Sequence, residues 1–238
     1  MANIDEAIIL AGGFGTRLKS LVSDVPKPLA PVGNRPFLAW LLDSLADQGM
    51  RRTILATGYM GEKVADVLGT HWRGMSLEYS REEQPLGTGG AIVQAAQRLQ
   101  GDAFFALNGD TWLALDYSAF DRQVCALGAR LGMALASVPD VSRYGAVRVE
   151  QDRRIVGFIE KGHVGPGYIN AGVYRVDRTL LAEFPAASNF SFETEVLVPL
   201  VAHEPVSAYT HTKAFIDIGV PQDYLRAQVE FAARQGPA

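Results

Sequence analysis

One cysteine, Cys125, stands in the 238 residues. That excludes an intrachain disulfide and every metal site built from several thiolates. Histidine is scarce as well: His71, His163, His203 and His211 are scattered, and no HExxH pair occurs. No apolar run approaches the ~20 residues that span a bilayer, so no membrane partner is expected. A basic surplus is also missing. Lys and Arg number 22 against 26 Asp and Glu, for a net charge of −4. Non-specific nucleic-acid binding needs a positive footprint, so no nucleic-acid partner is expected and any phosphate must be held by a local site. The first six residues, Met1-Ala-Asn-Ile-Asp-Glu6, carry acids where a signal peptide carries bases. The expected compartment is the cytoplasm.

What is present is ordinary globular material, 48% hydrophobic and 20% charged, which excludes disordered, collagenous and coiled-coil chains. The first half alternates strands and helices. Apolar runs at Glu6–Leu10, Thr53–Thr57, Ser76–Tyr79 and Phe104–Leu107 read as strands. Between them, Phe37, Trp40, Leu41 and Leu45 recur at helical spacing after Pro36, and Glu62–Leu68 and Gly90–Leu99 read as further helices. The second half is less regular. Leu131–Val138, Ala146–Val149, Ile155–Ile159 and Ile169–Val176 read as strands, Arg178–Phe184 and Phe192–Leu200 as short helices, and Pro221–Ala233 as a closing helix. Such alternation predicts an α/β fold with βαβ crossovers and a mixed, mainly parallel central sheet flanked by helices. No linker separates the halves. The expectation is one domain over residues 1–238, with nucleotide binding in about 1–115 and a second pocket in about 116–238.

The strongest local signal is Leu10-Ala-Gly-Gly-Phe-Gly-Thr-Arg-Leu18, followed by Pro26-Lys-Pro28. Its glycines follow the first strand at the carboxyl end, where open α/β sheets bind ligands. Glycine lets backbone N–H groups approach a polyphosphate. Arg17 offers a bidentate grip and Lys27 a point charge held between two prolines. Neither a P-loop nor a dinucleotide fingerprint fits, because Leu18 stands where the latter needs its third glycine. An ordinary strand–helix turn is the alternative. Two aspartates are placed at strand ends: Asp110, closing Asn108-Gly-Asp110, and Asp217, after Phe215-Ile216. Together they could hold one Mg²⁺ through oxygen. A turn-forming role for Asp110 and a helix cap for Asp217 are the alternatives. Glu82 and Glu83, before Leu86-Gly-Thr-Gly-Gly90, present acceptor-only carboxylates. These suit the paired N–H donors of guanine better than the carbonyls of uracil or thymine; a solvated charge pair is the alternative.

Taken together, the glycine loop with Pro-Lys-Pro, Pro85-Leu-Gly-Thr-Gly-Gly90, Asn108-Gly-Asp110, Arg143-Tyr-Gly145, Phe158-Ile-Glu-Lys161, Asn170-Ala-Gly172 and Asp217-Ile-Gly-Val-Pro-Gln-Asp-Tyr224 resemble the sugar-phosphate nucleotidyltransferases, in family order and over nearly the whole chain. That resemblance implies a Rossmann-like, glycosyltransferase-A-like fold. It implies an enzyme that joins a sugar 1-phosphate to a nucleoside triphosphate and releases pyrophosphate. Leu10, Ala11, Gly12, Gly13, Gly15, Thr16, Arg17, Lys27, Glu82, Glu83, Gly87, Thr88 and Gly109 would then bind nucleotide, and Asp110 and Asp217 would hold Mg²⁺. Lys161 would hold the sugar's phosphate, with Gly145, Glu160, Asn170, Ala171 and Gly172 around the sugar. Arg17, Lys27, Asp110 and Lys161 would carry the chemistry. Phe190-Ser-Phe-Glu193 and Phe215-Ile-Asp-Ile-Gly-Val-Pro221 resemble most the members that transfer GMP from GTP to D-glycero-α-D-manno-heptose 1-phosphate for bacterial surface polysaccharides. Mannose-1-phosphate guanylyltransferases and N-acetylmuramic acid 1-phosphate uridylyltransferases are the other candidates within the family, a nucleotide-sugar sensor on the same fold is the non-enzymatic one, and a homodimer stays open.

Overall fold

The computed structural model describes residues 4–13, 18, 22, 25–185 and 188–234. In chain order these form β1 (Glu6–Leu10), a 3-10 turn (Lys27–Leu29), β2 (Pro31–Val32), β3 (Arg35–Pro36), α1 (Phe37–Asp47), β4 (Arg52–Thr57), α2 (Gly61–Leu68), β5 (His71–Trp72), β6 (Met75–Arg81), α3 (Gly87–Ala96), β7 (Ala103–Asn108), β8 (Thr111–Leu113), α4 (Tyr117–Ala126), β9 (Leu131–Val138), β10 (Ala146–Val149), β11 (Ile155–Ile159), β12 (Gly167–Asp177), a 3-10 helix (Arg178–Glu183), a π turn (Glu193–Leu197), α5 (Val198–Val201), β13 (Val206–Tyr209), β14 (Phe215–Asp217) and α6 (Pro221–Arg234). None of these helices is long and apolar enough to cross a membrane.

The strands of the first half pair in parallel in the order β6-β4-β1-β7. Their side chains alternate between two cores, as a two-residue period requires. On β1, Ala7 and Ile9 face α1 and α2, whereas Ile8 faces α3. The chain thus crosses one face on its way from β1 to β6 and the other face on its way to β7. Strand order reverses at β1, and the carboxyl ends of β1 and β7 meet there. This is the switch point at which doubly wound sheets bind ligands.

The second half extends the same sheet with antiparallel pairing. β12 runs antiparallel to β7 and to β9, β10 and β11 form a hairpin beside it, and β13 pairs in parallel with β9. The sheet is therefore mixed, with its parallel block confined mostly to the front. β12 slips register between Asn170 and Val173, a bulge that re-aims the chain. At the bulge Gly172 has φ +68°, and a Cβ there would lie 2.6 Å from the Asn108 side chain at the end of β7. Apart from this sheet, β14 pairs with β8, setting Asp217 opposite Thr111.

Candidate active site

A cavity of about 340 Å³ opens at the switch point. It brings together Leu10, Gly12, Gly13, Lys27, Glu82, Gly87, Thr88, Gly109 and Asp110. These come from the ends of β1, β6 and β7, the Lys27 turn and the start of α3. The junction of β1 and β7 is tight. Gly109 N–H donates to the Leu10 carbonyl at 2.9 Å, and a Cβ on Gly109 would sit 2.5 Å from that oxygen. Only glycine lets the turn after β7 lie this close to β1, so Asp110 lines the same cavity as Gly12 and Gly13. Ala11 lies just beneath: it is buried, and its N–H extends the β1–β4 pairing to Ala56 at 2.8 Å. Gly15, Thr16 and Arg17 lie outside the described residues.

Lys27 sits in its 3-10 turn between Pro26 and Pro28, both buried. Its ammonium forms an ion pair with Asp110. Asp217 lies on the neighbouring strand, tied to the same turn because Ile218 N–H donates to the Asp110 carbonyl at 3.0 Å. Burial, and then the Asp110 charge beside it, push the Asp217 carboxyl above its usual range; the Gly219 N–H at 2.6 Å and Lys27 pull it back. Two crowded carboxylates therefore share one ammonium. That excess of hard oxygen charge suits a small divalent cation such as Mg²⁺, which takes one or two carboxylates and completes its octahedron with water and substrate phosphate. Among the described residues no group of three or more His, Cys, Asp or Glu could hold a metal, so a thiolate- or imidazole-rich centre is not part of this site.

The two adjacent glutamates divide. Glu82 lines the cavity, half-buried. Its backbone N–H donates to Thr57 at 2.7 Å, its carboxylate accepts the Leu86 N–H at 3.1 Å, and the same carboxylate packs over Gly12, where a Cβ would meet Oε1 at 2.6 Å. Burial raises its carboxyl above the usual range, and the Leu86 N–H offsets part of that rise. Glu83 is exposed and lines a neighbouring depression instead.

The second-half residues lie beyond the cavity. Glu160 and Lys161 are exposed on the turn after β11. Gly145, at φ +80°, is pressed against that turn, since a Cβ would lie 2.7 Å from the Ile159 carbonyl and 3.7 Å from Lys161 N. Asn170, Ala171 and Gly172 occupy the β12 bulge. Asn170 spends its amide internally, donating to Tyr174 Oη at 2.7 Å and accepting from Gly172 N–H at 2.9 Å.

Residues 6–234 match the nucleotidyl transferase family model. The chain belongs to that family. This nucleotidyl transferase is 39% identical over 225 residues, 94% of its length and 97% of the relative's, to a D-glycero-alpha-D-manno-heptose 1-phosphate guanylyltransferase of Aneurinibacillus thermoaerophilus. A protein of the same name from Campylobacter jejuni is 37% identical over 222 residues, 92% and 96% of the two chains. The fold of this chain superposes with a TM-score of 0.85 on the crystal structure of HddC from Yersinia pseudotuberculosis complexed with GMP-PN, at 36% identity, covering 96% of this chain and 100% of that one.

Sequence reasoning did not single out Pro28, Pro85, Ala91 and Asn108 as cavity lining. Asn108 had a signal, the Asn-Gly-Asp motif itself. Nor did it find what holds Thr88. That hydroxyl donates to Glu193 at 2.8 Å and accepts from Phe192 N–H at 2.8 Å, partners more than a hundred residues away.

Proposed function

We propose that this nucleotidyl transferase transfers GMP from GTP to D-glycero-α-D-manno-heptose 1-phosphate, giving GDP-heptose and pyrophosphate. The observation that carries the reading is the meeting of Lys27, Asp110 and a half-buried Glu82 in one cavity at the switch point. The names of two relatives that match nearly end to end supply the sugar.

In the reaction an oxygen of the sugar phosphate forms a bond to the α-phosphorus of GTP while the bond from that phosphorus to the bridging oxygen breaks, and pyrophosphate leaves. The nucleophile is already an anion, so no side chain has to take a proton; catalysis reduces to alignment and charge stabilisation. The glycine loop from Leu10 through Thr16 approaches the triphosphate with backbone N–H groups, and Arg17 grips its oxygens. Lys27, with three donors on one ammonium, can serve Asp110 and the α-phosphate together. Asp110 and Asp217 would hold Mg²⁺, which when bound would supply neutralising charge at the reacting phosphate. Glu82 accepts from the guanine N–H donors, with Gly87, Thr88 and Gly109 framing the nucleoside. Lys161 faces the second phosphate, and Gly145, Glu160 and the Asn170–Gly172 bulge form the sugar side. Glu83, exposed outside the cavity, has no part in this reading. A reaction that consumes GTP supports the cytoplasm as its compartment.

The test is pyrophosphate release from purified protein with Mg²⁺, over four nucleoside triphosphates against heptose, mannose, glucose and N-acetylmuramic acid 1-phosphates. GTP with the heptose should be fastest, and chelation of the metal should stop it. Mannose 1-phosphate lacks only the terminal C7 hydroxymethyl group, so it should lose about 10- to 200-fold, the range for about 1–3 kcal/mol. Preference for UTP would overturn the base assignment; preference for mannose 1-phosphate would replace the sugar.

A further inference from the structure

Arg143 and Asp223 have no role in the reaction as drawn above. Asp223 lies in the first turn of α6 and is only 6% exposed. A carboxylate at that depth needs a partner to offset its lost hydration. Arg143 provides it, donating to Asp223 Oδ2, while Arg226 stands farther off at 3.7 Å. The same guanidinium lies over the Tyr144 ring, 4.6 Å from its centroid. Tyr144 in turn meets Phe215 edge-on at 6.0 Å, and Phe215 opens β14, the strand that ends in Asp217.

The other side of this loop is fastened to the sugar side. The Asp140 carboxylate accepts from Ser142 N–H at 3.0 Å and Gly165 N–H at 3.2 Å. Gly162 N–H donates to the Ser142 carbonyl at 2.8 Å, and Gly145 N–H donates to Val141 at 2.9 Å. With Gly145 seated against Ile159, the Arg143–Gly145 loop and the Glu160–Lys161 turn form one body. The Arg143–Asp223 ion pair and the Tyr144–Phe215 contact join that body to the strand and helix on either side of Asp217.

We propose that Arg143 and Asp223 are positioning residues, whose ion pair clamps the Arg143–Gly145 loop, and with it the turn carrying Lys161, beside Asp217. This rests on the reading that Lys161 receives a sugar 1-phosphate. In-line transfer tolerates little misplacement, and an error of about 1 Å can cost a hundredfold. Neither residue touches substrate in this account; each acts through the loop.

The experiment is steady-state kinetics with each substrate varied in turn, on Arg143→Ala, Arg143→Lys, Asp223→Asn and the Arg143→Ala/Asp223→Asn double variant. Arg143→Ala and Asp223→Asn should raise the KM for heptose 1-phosphate by up to about ten- to hundredfold, the loss expected when the Lys161 contact fails, and leave that for GTP within about twofold. Arg143→Lys should recover part of the loss, and the double variant should lose no more than the worse single one, as partners in one contact do. The Arg143 side chain is 41% exposed, so its variants decide the matter if Asp223→Asn does not fold. Unchanged KM values, or equal rises for both substrates with a lower melting temperature, would overturn the clamp and leave the transferase reading intact. A wild-type protein inactive with every sugar phosphate would overturn both, and that failure shows before any variant is made.

Discussion

In the proposed reaction base identity turns on Glu82, whose environment makes that testable by pH. Burial raises its carboxyl, so the folded chain takes up the proton at higher pH than the unfolded chain does. Ionisation of Glu82 therefore opposes folding. The cost is absent below the unfolded carboxylate value, grows as pH rises through the raised one, and is complete above it. Glu82→Gln keeps an acceptor for the Leu86 N–H, so the variant should melt no lower than wild type at neutral pH. Guanine recognition should move the other way. Loss of a charged acceptor costs about 1.5–3 kcal/mol, about ten- to hundredfold in Kd. Wild-type affinity for GTP should also fall as pH drops through the raised Glu82 value. The variant shares the nucleotide's own titrations, so the ratio of the two affinities isolates this carboxylate. Calorimetric titration of both proteins across pH 4–8 checks it, and a flat ratio would remove Glu82 from base recognition.

At the scale of elements, the Gly87–Gly90 segment shows how a motif can be legible while its mechanics are not. Apolar spacing places a helix start at Gly90; α3 starts at Gly87, inside the motif. The reason is tertiary. The Ser188–Phe190 segment lies against this turn so closely that a Cβ on Gly87 would sit 2.3 Å from the Phe190 carbonyl, and one on Gly90 2.1 Å from the Ser188 carbonyl. Two hydrogen bonds seal the contact, Gly89 N–H to Phe190 O at 3.0 Å and Phe190 N–H to Leu86 O at 3.1 Å. These glycines thus serve chain packing as well as any approach to the base. Gly90→Ala should consequently destabilise the protein by about 1–3 kcal/mol as overpacking against backbone, although alanine is the better helix former. Chemical denaturation measures the loss, and an unchanged midpoint would refute the packing argument. Other elements escaped for simpler reasons. β2, β3, β5 and β8 hold only two or three residues each, too few for alternation to register. α4 did carry a signal, Asp116, which caps it by accepting the Ala119 N–H at 2.8 Å. Asp110 and Asp217 were legible because they sit at strand ends close to glycines, and Lys27 because two prolines flank it. Their supports were not, because Arg143 and Asp223 are 80 residues apart in sequence.

Across the whole molecule the sheet changes character where β7 meets β12. The parallel block presents the cavity at the switch point, and the antiparallel block presents Lys161 and the β12 bulge. The two are joined by main-chain pairing from Val173–Leu107 to Asp177–Ala103 and by Gly172 packed on Asn108. That seam is backbone, so a side-chain change on the far rim should not reach the cavity. Lys161 offers the cleanest case. It is exposed after β11, so Lys161→Ala should shift stability by less than about 0.5 kcal/mol. In the proposed reaction its ammonium meets only the sugar's phosphate. Removing one charge-assisted hydrogen bond should cost about 1.5–3 kcal/mol, about ten- to hundredfold in the Kd for heptose 1-phosphate. The Kd for GTP, whose phosphates belong to Lys27 and the glycine loop, should change by less than about twofold, since distant sites without shared partners act independently. Separate calorimetric titrations of the two ligands measure each loss. Comparable losses for both would mean that the two blocks do not divide the substrates, and that Lys161 reaches the triphosphate across the seam.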